Sequence, residues 1–351
     1  MTRLDKLIAI LPETVDALLV TNMKNQRYLT GFDFQDGLVL ITRKQSYLIT
    51  DFRYIEAAKK ETHPEFTVTV FDGDRQKLLM ALLDGATSIG FEDASITVEE
   101  LNAYQALLPE CSFVGVGRLI ESLRIVKEPC EIESMIKAQR IAEAAFEHIL
   151  SFITPERTEK EVALELEFTM RRLGASATSF DTIAVSGKKS AMPHGVPSDV
   201  KLSRGFFTLD FGAIVDGYCS DMTRTVVLGK ADDEMKRVYK TVLSAQTAAL
   251  EAFDFGKTGY EIDKVARDLI NAAGYEGCFG HGLGHGVGMD IHEAPRVRWD
   301  CDTPLRQGHV VTCEPGIYLE GKYGVRIEDM VVFRENSVEN ITKCPKYLIE
   351  L

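Results

Sequence analysis

The stretch FFTLDFGAIVDGYCSDMTRTVVLG, residues 206–229, sets two runs rich in Phe, Thr, Val and Leu on either side of Asp216-Gly217. A turn dipeptide between β-prone runs predicts a hairpin. If the turn centres between Val215 and Asp216, Asp210 lies directly opposite Asp221. If it centres on Asp216-Gly217, Asp221 becomes the diagonal neighbour. In both registers the two aspartates leave the same face of the hairpin, because side chains alternate along a strand. Their neighbours Phe206, Leu209, Phe211, Val226 and Val227 are apolar. Two carboxylates sharing an apolar face repel each other and are costly to desolvate, and a cation between them resolves both costs. Asp216 belongs to the turn and is set apart from this pair.

The C-terminal stretch HVVTCEPGIYLEGKYGVRIEDMVVF, residues 309–333, has the same design: a strand, a turn around Gly321 to Gly324, and a second strand. Counting outward from the turn brings Glu314 opposite Glu328. Glu320 and Asp329 are expected to be surface or supporting residues. A third stretch, HGLGHGVGMDIHE at residues 281–293, holds three of the chain's seven histidines among four glycines. It lacks the Lys-Ser/Thr ending of a phosphate loop and the βαβ setting of a dinucleotide fingerprint. It is not HExxH, since Gly-Leu-Gly separates His281 from His285, and so many glycines disfavour a helix. Glycines instead let backbone crowd close to a metal or substrate. Four carboxylates carry four negative charges. Two divalent ions balance them and leave room for one shared solvent molecule, the arrangement of two-metal hydrolytic sites. Oxygen donors with one imidazole suit Mn²⁺ or Co²⁺, or Zn²⁺.

Residues 1–125 alternate strand-like runs (DALLVT, GLVLIT, SYLIT, FTVTVF) with helical spacing in RQKLLMALLDG and TVEELNAYQALL, which predicts a small α/β domain. Pro129 in RIVKEPCEIES marks a boundary, so 126–351 forms a second domain. An amphipathic helix with Ile132, Met135, Ile136, Ile141, Ala145, Phe146 and Ile149 on one face follows it. A second helix is opened by a Thr158/Glu161 capping box and closes near Gly174. The pair recurs in DDEMKRVYKTVLSAQTAALEAF and YEIDKVARDLINAAG, the latter ending at Gly274. Two similar halves predict a pseudo-twofold α+β domain with helices outside and sheet inside.

The 351 residues carry a net charge of −13, which disfavours nucleic acid and anionic membrane partners. Pro12 and Glu13 interrupt the apolar patch near the N-terminus, and no small-residue cleavage site follows, so no signal peptide is expected. No window approaches the length of a membrane span. Seven scattered cysteines without a CxxC fit a reducing, cytoplasmic setting.

The blocks LDFGA, GYCSDMTRT, HGLGHGVGMDIHEAP, EPGIYL and GVRIED, in this order, resemble the signature of the pita-bread metallopeptidases, and most of all the Xaa-Pro dipeptidase (prolidase) and aminopeptidase P group. The resemblance covers the whole chain, residues 1–125 being similar to the creatinase/prolidase N-terminal domain. It implies a C-terminal pita-bread (creatinase/aminopeptidase) fold, two divalent metal ions and a homodimer. It places the metal ligands at Asp210, Asp221, His285, Glu314 and Glu328. His194 in AMPHGVPSD, His281, His292 and Arg326 fall on the family's substrate side. The implied reaction is hydrolysis of the Xaa-Pro bond in a proline-containing di- or oligopeptide, with Glu314 as proton acceptor, His292 facing the oxyanion and His194 beside the proline. Aminopeptidase P shares all of these residues and is the alternative. A metal-free binding module of the same fold is the remote one. His63, His148 and His309 are expected to be ordinary residues.

Overall fold

The computed structural model describes residues 1–71 and 73–351. The chain divides into two compact units, Met1–Arg124 and Ile125–Leu351.

The first unit is a six-stranded mixed sheet flanked by helices. Its helices are α1 (Arg3–Ile10), α2 (Met23–Thr30), α3 (Ile55–Glu61), α4 (Arg75–Leu83), α5 (Val98–Leu107) and α6 (Leu119–Arg124). Its strands are β1 (Ala17–Val20), β2 (Gly37–Thr42), β3 (Ser46–Thr50), β4 (Phe66–Val70), β5 (Ser88–Phe91) and β6 (Ser112–Gly115), in the order β4-β3-β2-β1-β5-β6. The apolar patch near the N-terminus becomes α1, held by a Thr2/Asp5 capping box, and the wholly buried β1. Ala17, Leu19, Leu38, Leu40 and Ile49 pack with Leu79 and Leu83 of α4 to form its core.

The second unit is built twice. Helices α7 (Pro129–Phe152) and α8 (Glu159–Arg172) precede β7 (Ala177–Thr178), β8 (Ile183–Ser186), β9 (Gly205–Phe211), β10 (Ala213–Val215), β11 (Tyr218–Cys219) and β12 (Met222–Leu228). Helices α9 (Asp233–Ala252) and α10 (Gly259–Ala272) precede β13 (Gly284–Gly286), β14 (Glu293–Val297), β15 (Val310–Cys313), β16 (Gly316–Leu319), β17 (Tyr323–Arg326), β18 (Asp329–Phe333) and β19 (Val338–Asn340). Capping boxes Thr158/Glu161 and Thr258/Glu261 start the second helix of each half, and Gly174 and Gly274 follow its end with φ of 111° and 90°. Each half has its own core. Ala142, Phe146, Ile149 and Leu166 pack on Leu209 and Val226 in one, and Val238, Val242, Ile262 and Ala266 pack with Val311 and Val331 in the other. The pseudo-twofold, helices-outside arrangement read from the sequence is the one observed.

Both hairpins form. Around Asp216-Gly217 the two central residues carry φ of 51° and 85°, the primed geometry that matches strand twist. This is the second of the two registers: Thr223, not Asp221, faces Asp210, and Asp221 is its diagonal neighbour. Gly212 and Ser220–Asp221 interrupt the ladder between the β9/β12 and β10/β11 pairings. A side chain at Gly212 would bring its Cβ within 1.9 Å of the Ser220 carbonyl oxygen, so only glycine lets the strands close there. In the C-terminal hairpin one register runs from Leu319↔Tyr323 to Val310↔Val332, and it sets Glu314 across from Glu328.

Strand pairs from the two halves are fastened by Arg224, buried behind them. Its guanidinium donates to the Thr223 and Glu328 carbonyls, to those of Cys344 and Pro345, and to Asp329 Oδ1 at 2.8 Å. Asp329 also accepts from Gln246, Asn340 and Lys346 through its other oxygen, so this buried ion pair is fully hydrogen-bonded. Glu320 is exposed at its turn.

Gly212→Ala is expected to cost about 1–3 kcal/mol by overpacking against backbone. Urea unfolding should show a lower midpoint than the parent. An unchanged midpoint would mean that the hairpin relaxes freely at this point.

Candidate metal centre

The strands deliver their acidic side chains into one cavity of about 790 Å³ within the second unit. Asp210 comes from β9, Asp221 from the break before β12, and His285 from β13. Glu314 follows β15 and Glu328 precedes β18. All five line the cavity wall, as do His194, His281, His292 and Arg326. The remaining histidines lie elsewhere: His148 pairs with Glu165, and His309 Nδ1 accepts from the Arg306 amide.

Asp221, His285 and Glu328 are buried and offer ligand atoms within 4.8 Å of one another. His285 Nδ1 donates to the Gly286 carbonyl at 3.1 Å, which fixes the tautomer and leaves Nε2 unprotonated. That nitrogen lies 3.5 Å from Asp221 Oδ2 and 3.4 Å from Glu314 Oε1. Burial lowers the imidazole pKa to about 3, so it does not protonate to meet them. A lone pair facing two carboxylates is repulsive unless a proton or a metal cation stands between them. Asp210 tells the same story. One oxygen takes Arg326 Nη2 at 2.5 Å, while the other is buried with no hydrogen-bond partner among the described residues. An orphaned anionic oxygen is a strong mark of a missing ligand. The donor set, oxygens with one imidazole, fits hard or borderline divalent ions.

Two threonine hydroxyls aim the glutamates. Thr223 donates to Glu328 Oε2 at 2.7 Å and accepts from Arg326 Nε at 3.0 Å. Thr312 accepts from the His285 amide and donates to Glu314 Oε1 at 3.2 Å. Neither had been singled out in the sequence, nor had Tyr318. The signal was available, since Thr223 and Thr312 stand two residues from Asp221 and Glu314 and so share their strand face. Tyr318 accepts from Arg326 Nη1 and hydrogen-bonds His281 Nε2, both at 2.9 Å or closer, while His281 Nδ1 donates to Gly282 O. Both nitrogens of His281 are therefore engaged, and it offers the cavity ring surface rather than a free donor. His292 stacks edge-on to His285 at 4.3 Å between centroids, and burial lowers its pKa, keeping it neutral.

Comparison with known proteins places this centre in context. The profile of metallopeptidase family M24 matches residues 133–335, and that of the creatinase/prolidase N-terminal domain matches residues 3–126. The chain is 42% identical over 340 residues to the uncharacterized peptidase YqhT of Bacillus subtilis, covering 96% of both chains. It is 38% identical to the Xaa-Pro dipeptidase of Pyrococcus horikoshii, covering 96% of this chain and 95% of that one. Among solved structures, an Xaa-Pro dipeptidase from Bacillus anthracis superposes with a TM-score of 0.95 at 43% identity and 99% coverage of both chains. An X-Pro aminopeptidase from Thermotoga maritima gives 0.92 at 38% identity, over 99% of this chain and 100% of that one.

In the metal-free protein, burial raises the pKa of Glu314 to about 8 and those of Asp221 and Glu328 well above the ordinary carboxylate range, with their neighbours' charges adding to the effect. The folded carboxyls then hold protons that the unfolded chain releases near pH ~4–5. Their contribution to stability is present below that range and is lost as the pH rises toward about 8. Divalent ions must displace the same protons. The metal-free protein should therefore lose thermal stability from pH ~5 to ~8, while metal affinity rises over the same window with proton release measurable by calorimetry. Affinity independent of pH would contradict the buried carboxyl cluster.

Proposed function

The chain belongs to metallopeptidase family M24 and is a metal-dependent hydrolase; from that premise we propose that it is an Xaa-Pro dipeptidase, a dinuclear-metal exopeptidase that hydrolyses the bond preceding proline. The observation that carries this reading is the single cavity on which the five proposed donor side chains, three further histidines and three arginines converge. Asp210, Asp221, His285, Glu314 and Glu328 would hold two divalent ions, Mn²⁺ or Co²⁺, with Zn²⁺ as the alternative. When bound, the ions act as Lewis acids that lower the pKa of water and polarise the substrate carbonyl.

The protein's own groups supply the rest. Glu314 Oε1 is oriented by Thr312, and its carboxylate takes the proton released by the attacking water. It returns that proton to the proline nitrogen, which leaves poorly from a tertiary amide unless protonated. Neutral His292, beside His285, donates toward the oxygen on which negative charge develops. Arg326 orients Asp210 and Tyr318, and through Tyr318 it steadies His281, whose ring surface bounds the proline site with His194. Proline has a fixed φ and no N–H, so a shaped pocket can select it.

Arg296 also lines the cavity, close enough to affect the charge balance of both His285 and His292. A cation there suits the free carboxylate of a dipeptide and favours the dipeptidase over the aminopeptidase P reading. The latter keeps support from the Thermotoga maritima relative. The reading includes a homodimer and a cytoplasmic location. All seven cysteines are free, and no helix among the described residues is long and apolar enough to cross a membrane.

A panel of Leu-Pro, Leu-Pro-amide and Leu-Pro-Pro with defined metals tests this reading. Leu-Pro should be the best substrate in kcat/KM, and preference for the tripeptide would favour aminopeptidase P. Asp221→Ala should lose hydrolysis to the detection limit and lower the bound metal measured by plasma mass spectrometry. Retained wild-type activity would overturn the ligand assignment. Arg296→Ala should raise KM for Leu-Pro at least tenfold while changing Leu-Pro-amide little; equal effects on both would remove its assigned role.

A further inference from the structure

The segment that carries His194 into the cavity runs from Ser186 to Ser198, and the His194 side chain makes no hydrogen bond among the described residues. The ring is exposed. What anchors the segment is a carboxylate on the far side of its backbone. Glu159, the first residue of α8, is 1% exposed. Its Oε1 accepts from the Ser186 amide at 2.9 Å. Its Oε2 accepts from the Ser198 amide at 3.1 Å, the Ser198 hydroxyl at 2.8 Å and Lys189 Nζ at 2.7 Å. The donors come from both ends of the segment, so one buried anion closes it like a clasp. Met192, Pro193 and His194, between those ends, line the cavity.

Comparison of the two halves shows that the helix itself does not require this glutamate. Position 259 of α10 corresponds to 159 of α8, each following the threonine of its capping box. It is glycine, and a Cβ there would lie 2.3 Å from the Arg296 carbonyl oxygen. In the second half a backbone strand occupies the place that a carboxylate and its loop occupy in the first. The second half has its own buried anion one turn later. Asp263 pairs with Arg267, and together they hold the main chain at Phe279, His281 and Leu283. A buried charge with this many donors is costly to desolvate and loses its value if any donor is misplaced. It therefore holds one loop conformation rather than many.

We propose that Glu159 is a positioning residue that sets His194 for substrate by pinning both ends of the 186–198 segment. The inference rests on the reading of His194 as a substrate-side group. Glu159 touches none of the five donor side chains of the metal centre, so its loss should spare metal binding and act on substrate.

The test is a double-mutant cycle on the metal-loaded enzyme, with Leu-Pro as substrate. Glu159→Gln keeps the shape and removes the charge. It should raise KM about tenfold with kcat changed less than threefold and with bound metal per chain unchanged. In a His194→Ala background the same substitution should change KM less than twofold, because the residue through which it acts is gone. If Glu159→Gln is equally damaging in both backgrounds, or lowers bound metal, the clasp is not acting through His194 and the proposal fails. If His194→Ala alone leaves KM and kcat unchanged, the reading of His194 fails instead. Should Glu159→Gln not fold, Lys189→Met opens the clasp from its solvent side and Lys189→Arg should restore it. A Lys189→Met enzyme with wild-type KM would count against the proposal as well.

Discussion

Mutual repulsion among closely placed, largely buried carboxylates is the constraint around which the second unit is organised. Where carboxylates come within 4.8 Å, as Asp221 and Glu328 do, two like unit charges repel by about 3–4 kcal/mol or more at an effective dielectric near 20. Arg326 reaches only one of them directly, through Asp210. The fold tolerates this cluster because cations repay it, and every other feature of the cavity holds the anions in place until they do. Thr223 and Thr312 aim the glutamates, the His285 tautomer is locked by its own backbone, and Arg224 ties the two halves behind the cluster.

Those supporting residues show how a cluster of metal-binding side chains is held by a fold made of two copies of one motif. The helices and capping boxes repeat, but the anchors do not. Glu159 serves the loop of the first half, and Asp263 with Arg267 serves that of the second. These two anchors differ where each half's loop lines the cavity. The same division explains why relatives named as dipeptidases and as aminopeptidases share this fold along their whole length.

Much of this was legible before any coordinates. A turn dipeptide and period-two alternation put Asp210 and Asp221 on one face, and a single register carries Glu314 to Glu328. What stayed open was the register of the first hairpin, which turns on whether the Asp216-Gly217 bond or the bond before it is the centre. That question is settled by two consecutive positive φ angles, which glycine accepts freely and aspartate tolerates. Long-range partners were not legible. Arg224 meets Asp329 across more than a hundred residues, and Tyr318 meets His281 across thirty-seven. No spacing rule connects such pairs, because their meeting is a property of tertiary packing rather than of either strand alone. For His281 the motif points to substrate, whereas the structure spends both of its nitrogens on Gly282 and Tyr318.

The donors are shared unequally, with Asp210 and Asp221 in the first half and His285, Glu314 and Glu328 in the second. Neither half alone holds all five of the proposed donors. An ion held between them would act as a removable crosslink, closing a chain loop of more than a hundred residues and restricting the unfolded ensemble as a covalent bridge does. Bound metal would then reinforce the tie that Arg224 already makes between the two halves, so that stability and catalytic competence respond to the same ion.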